Sequence, residues 1–268
     1  MPSKTKLRSG IKLPSKSQFL YGSAVVWLLA INHTASASTA TLMPHTASLP
    51  TAANTPLKVA VAGGFSPTFV SLVPSLSQQL QQPIEVTSLP IAALKAQLHL
   101  PKFDLIVTGA PSQLSQLDYL DQLQPNSLTV IAHSPVILWC PNPNIQMRVR
   151  LQDTLKNPRI KAIALSPVGS PVGDLVRQQL PLPAHIKVTS AAHSLEAWQL
   201  AQQGKVDCAF SVIGLARPND QYQFVPHRGV KIIAAIPKNS SNPSSAISLL
   251  KLLERPLFRA RIQHYGYS

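Results

Sequence analysis

Acidic residues, cysteine and glycine are all scarce in this 268-residue sequence, whereas proline is abundant. Asp and Glu together number 10 against 24 Lys and Arg, and charged residues make up only 13% of the chain. The 11 glycines are outnumbered by 25 prolines, which favours many defined turns over a disordered chain. Apolar residues reach 45%, which is enough to bury a large core in one or two domains.

The net charge of +14 does not by itself indicate a nucleic-acid-binding protein. Such proteins carry a basic stripe or a known motif. Here the basic residues beyond the N-terminal region are spread along the chain and are not clustered with aromatic residues. We therefore expect no nucleic-acid partner, and a basic surface that attracts anions.

Only two cysteines occur, Cys140 and Cys208, and neither is placed to receive a lipid anchor. No metal-ligand spacing joins them to any of the eight His, so we predict neither a metal site nor a cofactor. Both lie in apolar runs, VILWC and VDCAFSV, and the sequence leaves open whether they pair. We predict buried, unpaired thiols, because we place the two runs in different halves of the folded region.

The first 37 residues contain the three parts of a secretory signal peptide in the usual order. Five basic residues precede an apolar stretch at 19–31, and Ala35 and Ala37 then form a small-residue cleavage pattern. We predict cleavage after Ala37 and a periplasmic location; the alternative, a permanent anchor, needs about 20 apolar residues. Residues 38–56 are rich in Ser, Thr, Ala and Pro, which predicts a flexible linker.

The folded region begins at 57–69 with the pattern of a strand, a turn and a helix start, LKVAVAGGFSPTF. The apolar run ends at Gly63 and Gly64, which allow a sharp turn. Ser66 is predicted to be the N-cap of the helix and Pro67 to occupy its first position. A helix N-terminus has free N–H groups and a partial positive charge, so it suits an anion. The alternative is an ordinary strand–turn–helix that binds nothing.

Apolar strands alternate with helices through the rest of the chain, which predicts parallel sheets covered on both faces. The alternation restarts after Pro141, which predicts two α/β lobes with a ligand cleft between them. Residues 57–140 and 213–268 form the first predicted lobe, residues 141–212 form the second, and the two chain crossings make a hinge. The predicted strands are 57–62, 84–88, 103–108, 136–140, 161–165, 186–189, 206–212 and 230–235, and the predicted helices include 91–100, 111–123, 172–180 and 194–203.

Six short segments between residues 57 and 268 carry a resemblance to a known family. They are GGFS at 63–66, FDLIVTGA at 103–110, VILWCP at 136–141, IALSPVGSPVG at 163–173, HSLEAWQLAQQGKVDCAFSV at 193–212 and RARIQHYGYS at 259–268. In this order they resemble periplasmic solute-binding proteins of the molybdate-binding type, which serve ABC importers. The resemblance implies a two-lobed α/β fold like that of type II periplasmic binding proteins.

The resemblance also implies that backbone N–H groups at helix starts and a few hydroxyl groups bind an oxyanion, without a cationic side chain. Ser-Pro recurs at 66–67 and 170–171, each time after an apolar strand, which places both helix starts at this site. The sequence departs from the family at 90–92, where Pro-Ile-Ala replaces a serine-rich turn and removes a hydroxyl donor. Ser211 stands where the family has a tyrosine, and Ser194 where it has a valine. The predicted ligand-binding residues are Phe65, Ser66, Val172, His193, Ser194 and Ser211.

We therefore expect a monomeric exported protein that binds molybdate or tungstate and delivers it to a membrane ABC permease. The missing donors leave open a receptor of the same fold for sulfate, phosphate or an organic acid. An enzyme is less favoured, because Ser66 as a nucleophile needs a base, and the one candidate, His193, has no acid behind it. A degenerate member of the family, retained for protein contacts, is a further alternative.

Overall fold

Ten strands and seven α-helices lie in the residues that the computed structural model describes, 55–110 and 118–268. The strands are β1 (Leu57–Ala62), β2 (Ile84–Leu89), β3 (Leu105–Ala110), β4 (Thr129–Ser134), β5 (Val136–Trp139), β6 (Ala162–Leu165), β7 (Lys187–Ser190), β8 (Cys208–Val212), β9 (Tyr222–Phe224) and β10 (Val230–Ala235). The helices are α1 (Ser66–Leu80), α2 (Ile91–Gln97), α3 (Leu151–Leu155), α4 (Pro171–Gln179), α5 (Ser194–Gln202), α6 (Pro243–Glu254) and α7 (Pro256–His264). The predicted signal peptide and most of the predicted linker and of helix 111–123 lie outside the described residues.

The strands form two five-stranded sheets, with the orders β2-β1-β3-β10-β4 and β7-β6-β8-β5-β9. We call the first sheet with α1, α2, α6 and α7 the first lobe, and the second sheet with α3, α4 and α5 the second lobe. The pairs of β1 with β2 and β3, and of β6 with β7 and β8, are parallel, as predicted. The pairs that include β5 or β10 are antiparallel, because the chain enters and leaves the second sheet through extended segments and not through crossover helices.

The predicted lobe boundaries at 140 and 213 need correction. They assign β5 and β9 to the first lobe, whereas β5 pairs with both β8 and β9 in the second sheet. The chain crosses between the sheets at Pro135 and returns through 225–229. Gly229 has a φ of +94°, and a Cβ atom there would lie 2.2 Å from the carbonyl oxygen of Ser134. Glycine therefore allows the two crossing segments to lie directly against each other.

Cys140 and Cys208 form a disulfide, so the prediction of free thiols is wrong. Trp139 lies opposite Ala209 in the antiparallel pair of β5 and β8, which places Cys140 opposite Cys208 one position further along. Their Cα atoms are 4.2 Å apart. The prediction failed because it placed the two strands in different lobes, whereas the disulfide lies entirely within the second lobe.

Helices cover both faces of each sheet, as the apolar strands predict. In the first lobe α1, α6 and α7 share one core with β1 and β3, and Leu94 of α2 lies in the core on the opposite face. In the second lobe α3 and α4 cover one face and α5 the other, where Trp139 stacks on Trp198. No helix among the described residues is both long enough and apolar enough to span a membrane.

The segment after α7 packs on the first lobe beside the chain crossings. Ser268 exchanges two backbone hydrogen bonds with His133 of β4. The buried ring of Tyr267 packs edge-on against Phe65 with 5.1 Å between ring centroids. A Cβ atom on Gly214 would overlap the Tyr267 ring, so this aromatic residue also packs directly on the segment that follows β8.

Candidate functional site

Three strand-to-helix turns meet at a cavity of about 60 Å³ that both lobes line. They are the β1–α1, β6–α4 and β7–α5 turns, each at the carboxyl end of a strand in the parallel part of its sheet. Ligands of open α/β sheets bind at such strand ends. We call this the inner cavity; its lining includes Gly63, Gly64, Phe65, Thr108, Ser166, Ser170, Val172, His193 and Ser194.

Glycine in the β1–α1 turn allows the first lobe to touch the start of α5. A Cβ atom on Gly63 would lie 2.7 Å from Cγ of His193, closer than real Cβ atoms approach other atoms. A Cβ atom on Gly64 would lie 3.2 Å from Cβ of Ser194. Any larger residue at position 63 would therefore displace the His193 ring or move the two lobes apart.

Ser170 is the N-cap of α4, as the Ser-Pro pattern predicts. Its hydroxyl accepts a hydrogen bond from the N–H of Gly173 at 3.1 Å and donates one to the carbonyl oxygen of Pro167 at 2.7 Å. That hydroxyl is fully used within the turn. The N–H of Val172, in the first turn of α4, makes no backbone hydrogen bond with a described residue. The helix start therefore supplies an unbonded N–H group from a residue that lines the inner cavity.

His193 is the N-cap of α5. Its Nδ1 accepts a hydrogen bond from the backbone N–H of Glu196 at 3.0 Å. Because Nδ1 is an acceptor, the neutral ring carries its proton on Nε2, which makes the imidazole a hydrogen-bond donor. Ser194 is the first helical residue, and its hydroxyl makes no hydrogen bond with a described residue. His193 and Ser194 both line the inner cavity.

Two buried hydroxyl residues at the inner cavity were not among the predicted site residues. Ser166 follows β6 directly, is 1% exposed, and its Oγ has no hydrogen-bond partner among the described residues. Thr108 in β3 is fully buried and donates only to the adjacent carbonyl oxygen of Gly109, at 3.3 Å. The sequence held a signal for Ser166, which comes straight after the predicted strand 161–165. Thr108 lies inside an apolar strand and offered no such signal.

The described lining of the inner cavity contains no Lys, Arg, Asp or Glu. Its positive potential comes from the N-termini of α4 and α5, each equivalent to roughly half a unit charge. These dipoles act together with N–H and O–H donors in a site where exclusion of water strengthens electrostatic interactions. The arrangement suits an anion. Among the described residues, no group of three or more His, Cys, Asp or Glu is placed to hold a metal ion.

The structure places four of the six predicted ligand-binding residues at the inner cavity: Phe65, Val172, His193 and Ser194. Ser66 is outside the lining; it is the first residue of α1, and Phe65 occupies the N-cap position predicted for it. Ser211 is also outside the lining, since its buried hydroxyl donates to the carbonyl oxygen of Ser194 at 2.9 Å. Ser211 therefore holds the start of α5 in position.

Several proteins of known structure have a similar fold. The fold is similar to the periplasmic molybdate-binding protein of Azotobacter vinelandii, with a TM-score of 0.70, 20% identity and coverage of 79% of this chain and 98% of that one. It is similar to the sulfate-binding protein SubI of Mycobacterium tuberculosis, with a TM-score of 0.63, 14% identity and coverage of 80% and 86%. It is also similar to L-phospholactate-bound PEB3 of Campylobacter jejuni, with a TM-score of 0.59, 14% identity and coverage of 79% and 98%.

These likenesses confirm the predicted two-lobed α/β fold of the periplasmic binding protein type. No curated protein sequence matches the chain. A family profile described as bacterial extracellular solute-binding protein matches residues 57–268, which is most of the sequence. The chain therefore belongs to the family of bacterial extracellular solute-binding proteins.

Proposed function

We propose that this protein binds a tetrahedral oxyanion, molybdate or tungstate, outside the cytoplasm and delivers it to a membrane ABC permease. Membership of the solute-binding family supports the binding activity, and relatives named for molybdate and sulfate binding support an anionic ligand. The proposal includes release into the periplasm by cleavage after Ala37, and action as a monomer.

The observation that carries this proposal is the unpartnered hydroxyl of Ser166 in a cavity without charged side chains. A buried hydroxyl without a partner costs about 1–3 kcal/mol, and a hydrogen bond to a charged ligand recovers about 1.5–3 kcal/mol. The N–H of Val172 and the Nε2–H of His193 are donors from the same lining. Donors without a neighbouring carboxylate favour an anion over a cation or a neutral solute.

The dimensions of the inner cavity suit a small inorganic anion. Its volume of about 60 Å³ is several times the roughly 10–15 Å³ that one water molecule requires on a comparable measure. An ion of a few heavy atoms therefore fits once water is expelled.

A receptor for sulfate, phosphate or an organic acid is the second candidate function, and one observation favours it. Ile91 lines the inner cavity from the turn that, by resemblance, holds hydroxyl donors in molybdate-binding proteins. Thr108 and Ser166 add hydroxyl groups from other positions, so the donor set differs from the one that the resemblance implies. Because hydrogen-bond donors at other positions fit oxyanions of another size and protonation state, this difference favours an oxyanion other than molybdate.

Binding without catalysis is part of the proposal. Ser66, the nucleophile of the enzymatic alternative, lies outside the lining of the inner cavity. His193, its one candidate base, uses Nδ1 to cap α5. These placements support a solute-binding protein over an enzyme on the same scaffold.

Isothermal titration calorimetry of the purified mature protein with molybdate, tungstate, sulfate and phosphate tests the proposed function. We expect molybdate and tungstate to bind most tightly. Tighter binding of sulfate or phosphate would replace the first candidate by the second. Absence of heat with all four anions and with small organic acids, on protein shown to be folded by circular dichroism, would reject anion binding.

A further inference from the structure

A larger cavity of about 680 Å³ adjoins the inner cavity, and we call it the outer chamber. The two share Ile91, Pro171 and Val230 in their linings, so they meet across these three residues. Small-molecule sites in proteins have volumes of roughly 300–1,000 Å³. A bare tetrahedral anion occupies only the inner cavity, which leaves a chamber of ligand size next to it.

Tyr119 gives the outer chamber a buried donor without a partner. The residue is 1% exposed and lines the chamber, and its hydroxyl makes no hydrogen bond within the described part of the chain. Burial raises the pKa of Tyr119 well above its usual range, so the hydroxyl keeps its proton. A buried phenol hydroxyl normally has a hydrogen-bond partner. An acceptor on a ligand in the chamber would complete this group.

The charged groups of the outer chamber favour a second negative charge on that ligand. Arg228, on the crossing segment, is exposed and makes no hydrogen bond or ion pair with a described residue. Lys231 of β10 also lines the chamber. The two carboxylates of the described lining are already bonded, Asp118 to Lys95 at 2.8 Å and Asp174 to a backbone N–H at 2.9 Å. The cation at Arg228 is therefore available for a ligand.

We propose that the outer chamber is a second subsite that binds the organic part of a substituted oxyanion. The inference rests on the oxyanion site of the proposed function and develops its second candidate, because a substituted oxyanion places its tetrahedral head in the inner cavity and its organic part in the outer chamber. The chemical class is a short phosphorylated carboxylic acid. Its phosphoryl head accepts hydrogen bonds from Val172, Ser166 and His193, and its carboxylate is bound by Tyr119 and Arg228.

Calorimetry with phosphoglycolate and inorganic phosphate as probes tests this subsite. The outer-chamber variants are Tyr119→Phe, which removes only the unpartnered hydroxyl, and Arg228→Gln. The matched controls are Tyr265→Phe and Arg217→Gln, whose positions line neither cavity. We expect phosphoglycolate to bind at least about tenfold more tightly than phosphate, as one added charged hydrogen bond implies.

Each outer-chamber variant should weaken phosphoglycolate binding about tenfold and leave phosphate binding within about twofold, while the controls change neither. Equal affinities for the two probes, or outer-chamber variants that bind phosphoglycolate like the parent, would overturn the subsite. If molybdate or sulfate binds but phosphoglycolate does not, the subsite is rejected and the proposed function stands. If no anion binds to folded protein, both are rejected.

Discussion

At the scale of single residues, the inner cavity depends on donors that the fold leaves unbonded. Ser170 and Ser211 show the contrast, since both hydroxyl groups are used to fix helix starts. Ser166 lies among the same turns with the same side chain, but its hydroxyl has no hydrogen-bond partner in residues 55–110 and 118–268. The presence and spacing of serines in the sequence therefore do not show which serine caps a helix and which donates to a ligand. Only the hydrogen bonds around each hydroxyl group show this.

Replacement of the unpartnered hydroxyl measures its contribution to binding. Ser166→Ala should weaken oxyanion affinity about tenfold, because it removes one hydrogen bond to a charged ligand worth about 1.5 kcal/mol. Calorimetry provides the measurement, and Ser248→Ala, at an exposed position on α6, provides the control. An unchanged affinity in the Ser166 variant would remove this residue from the site.

Ser66→Ala separates the sequence-based expectation from the geometry. A tenfold loss of affinity follows if the Ser66 hydroxyl contacts the anion, as the resemblance implies. The position of Ser66, outside the lining of the inner cavity, instead predicts a change of less than about twofold. The same titration decides between the two, provided that circular dichroism shows α1 to be intact.

Tyr267 makes stability sensitive to alkaline pH. Burial raises its pKa to about 12 from an ordinary value of 10.0, although hydrogen bonds to Thr68 and Ser134 act in the opposite direction. Between these two pH values the folded protein keeps a proton that the unfolded chain has lost. The free energy of unfolding therefore falls as pH rises through this window, and below it the contribution is constant.

Tyr267→Phe should thus flatten the pH dependence of stability between about pH 10 and 12. Urea unfolding curves at several pH values in this window measure the slope. Tyr265→Phe, at an exposed position, serves as the control. The explanation fails if the Tyr267 variant and the parent protein lose stability with the same slope.

At the scale of elements, the strand–turn–helix beginning at β1 was predictable because each local signal agrees with the others. An apolar run, two glycines and Pro67 define the turn, and α1 continues to Leu80 through Pro74. The prediction failed in detail at the cap, where Phe65 and not Ser66 is the N-cap. When no side chain caps a helix by a hydrogen bond, the residue types at its start do not reveal which residue is the N-cap.

Strands β4 and β9 escaped prediction because their apolar character is incomplete. Both mix polar and apolar residues, and the sequence around β9 is typical of a loop. Missing these strands moved the lobe boundary to the wrong side of β5. That shift in turn separated Cys140 from Cys208 and produced the wrong thiol prediction. Pairing between distant strands is a tertiary property, which periodicity does not report.

Gly63 links the first lobe to α5, and its replacement should hinder closure over the anion. Gly63→Ala places a methyl group 2.7 Å from the His193 ring, so we expect anion affinity to fall about tenfold or more. His193→Ala removes the obstructing ring. The double variant should therefore lose less binding free energy than the sum of the losses in the two single variants.

Calorimetry of the four proteins in this cycle, with one oxyanion, measures the coupling free energy. We expect it to be about 1 kcal/mol or larger, as for residues in direct contact. Thermal unfolding without anion checks that the variants keep their fold. Strictly additive losses would show that Gly63 acts through something other than the His193 ring.

At the scale of the whole molecule, two adjacent crossings connect the lobes, one at Pro135 and one at 225–229. We propose that the lobes rotate about these crossings to admit and enclose the ligand. The disulfide is no obstacle to such rotation, because both of its cysteines belong to the second lobe.

The disulfide should stabilise the second lobe without taking part in binding. It joins residues 68 positions apart, for which the loss of chain entropy on cross-linking predicts about 4 kcal/mol. The Cys140→Ala/Cys208→Ala variant should lose about 2–4 kcal/mol of unfolding free energy in urea. Its anion affinity should stay within about twofold of the parent, because neither cysteine lines the inner cavity. A reductant should lower the stability of the parent protein but not that of the double-alanine variant. An equal loss of stability in the two proteins would contradict this account.

The strand order also bears on the time at which each lobe becomes able to fold. Every strand of the second sheet lies between Val136 and Phe224, whereas β10, which sits between β3 and β4 in the first sheet, begins only at Val230. As a ribosome makes the chain, the second lobe emerges complete while the first sheet still lacks an interior strand. Domains tend to fold as they become available during synthesis. The first lobe can therefore complete its sheet only after Ala235 has emerged, later than the second lobe, whose last strand ends at Phe224.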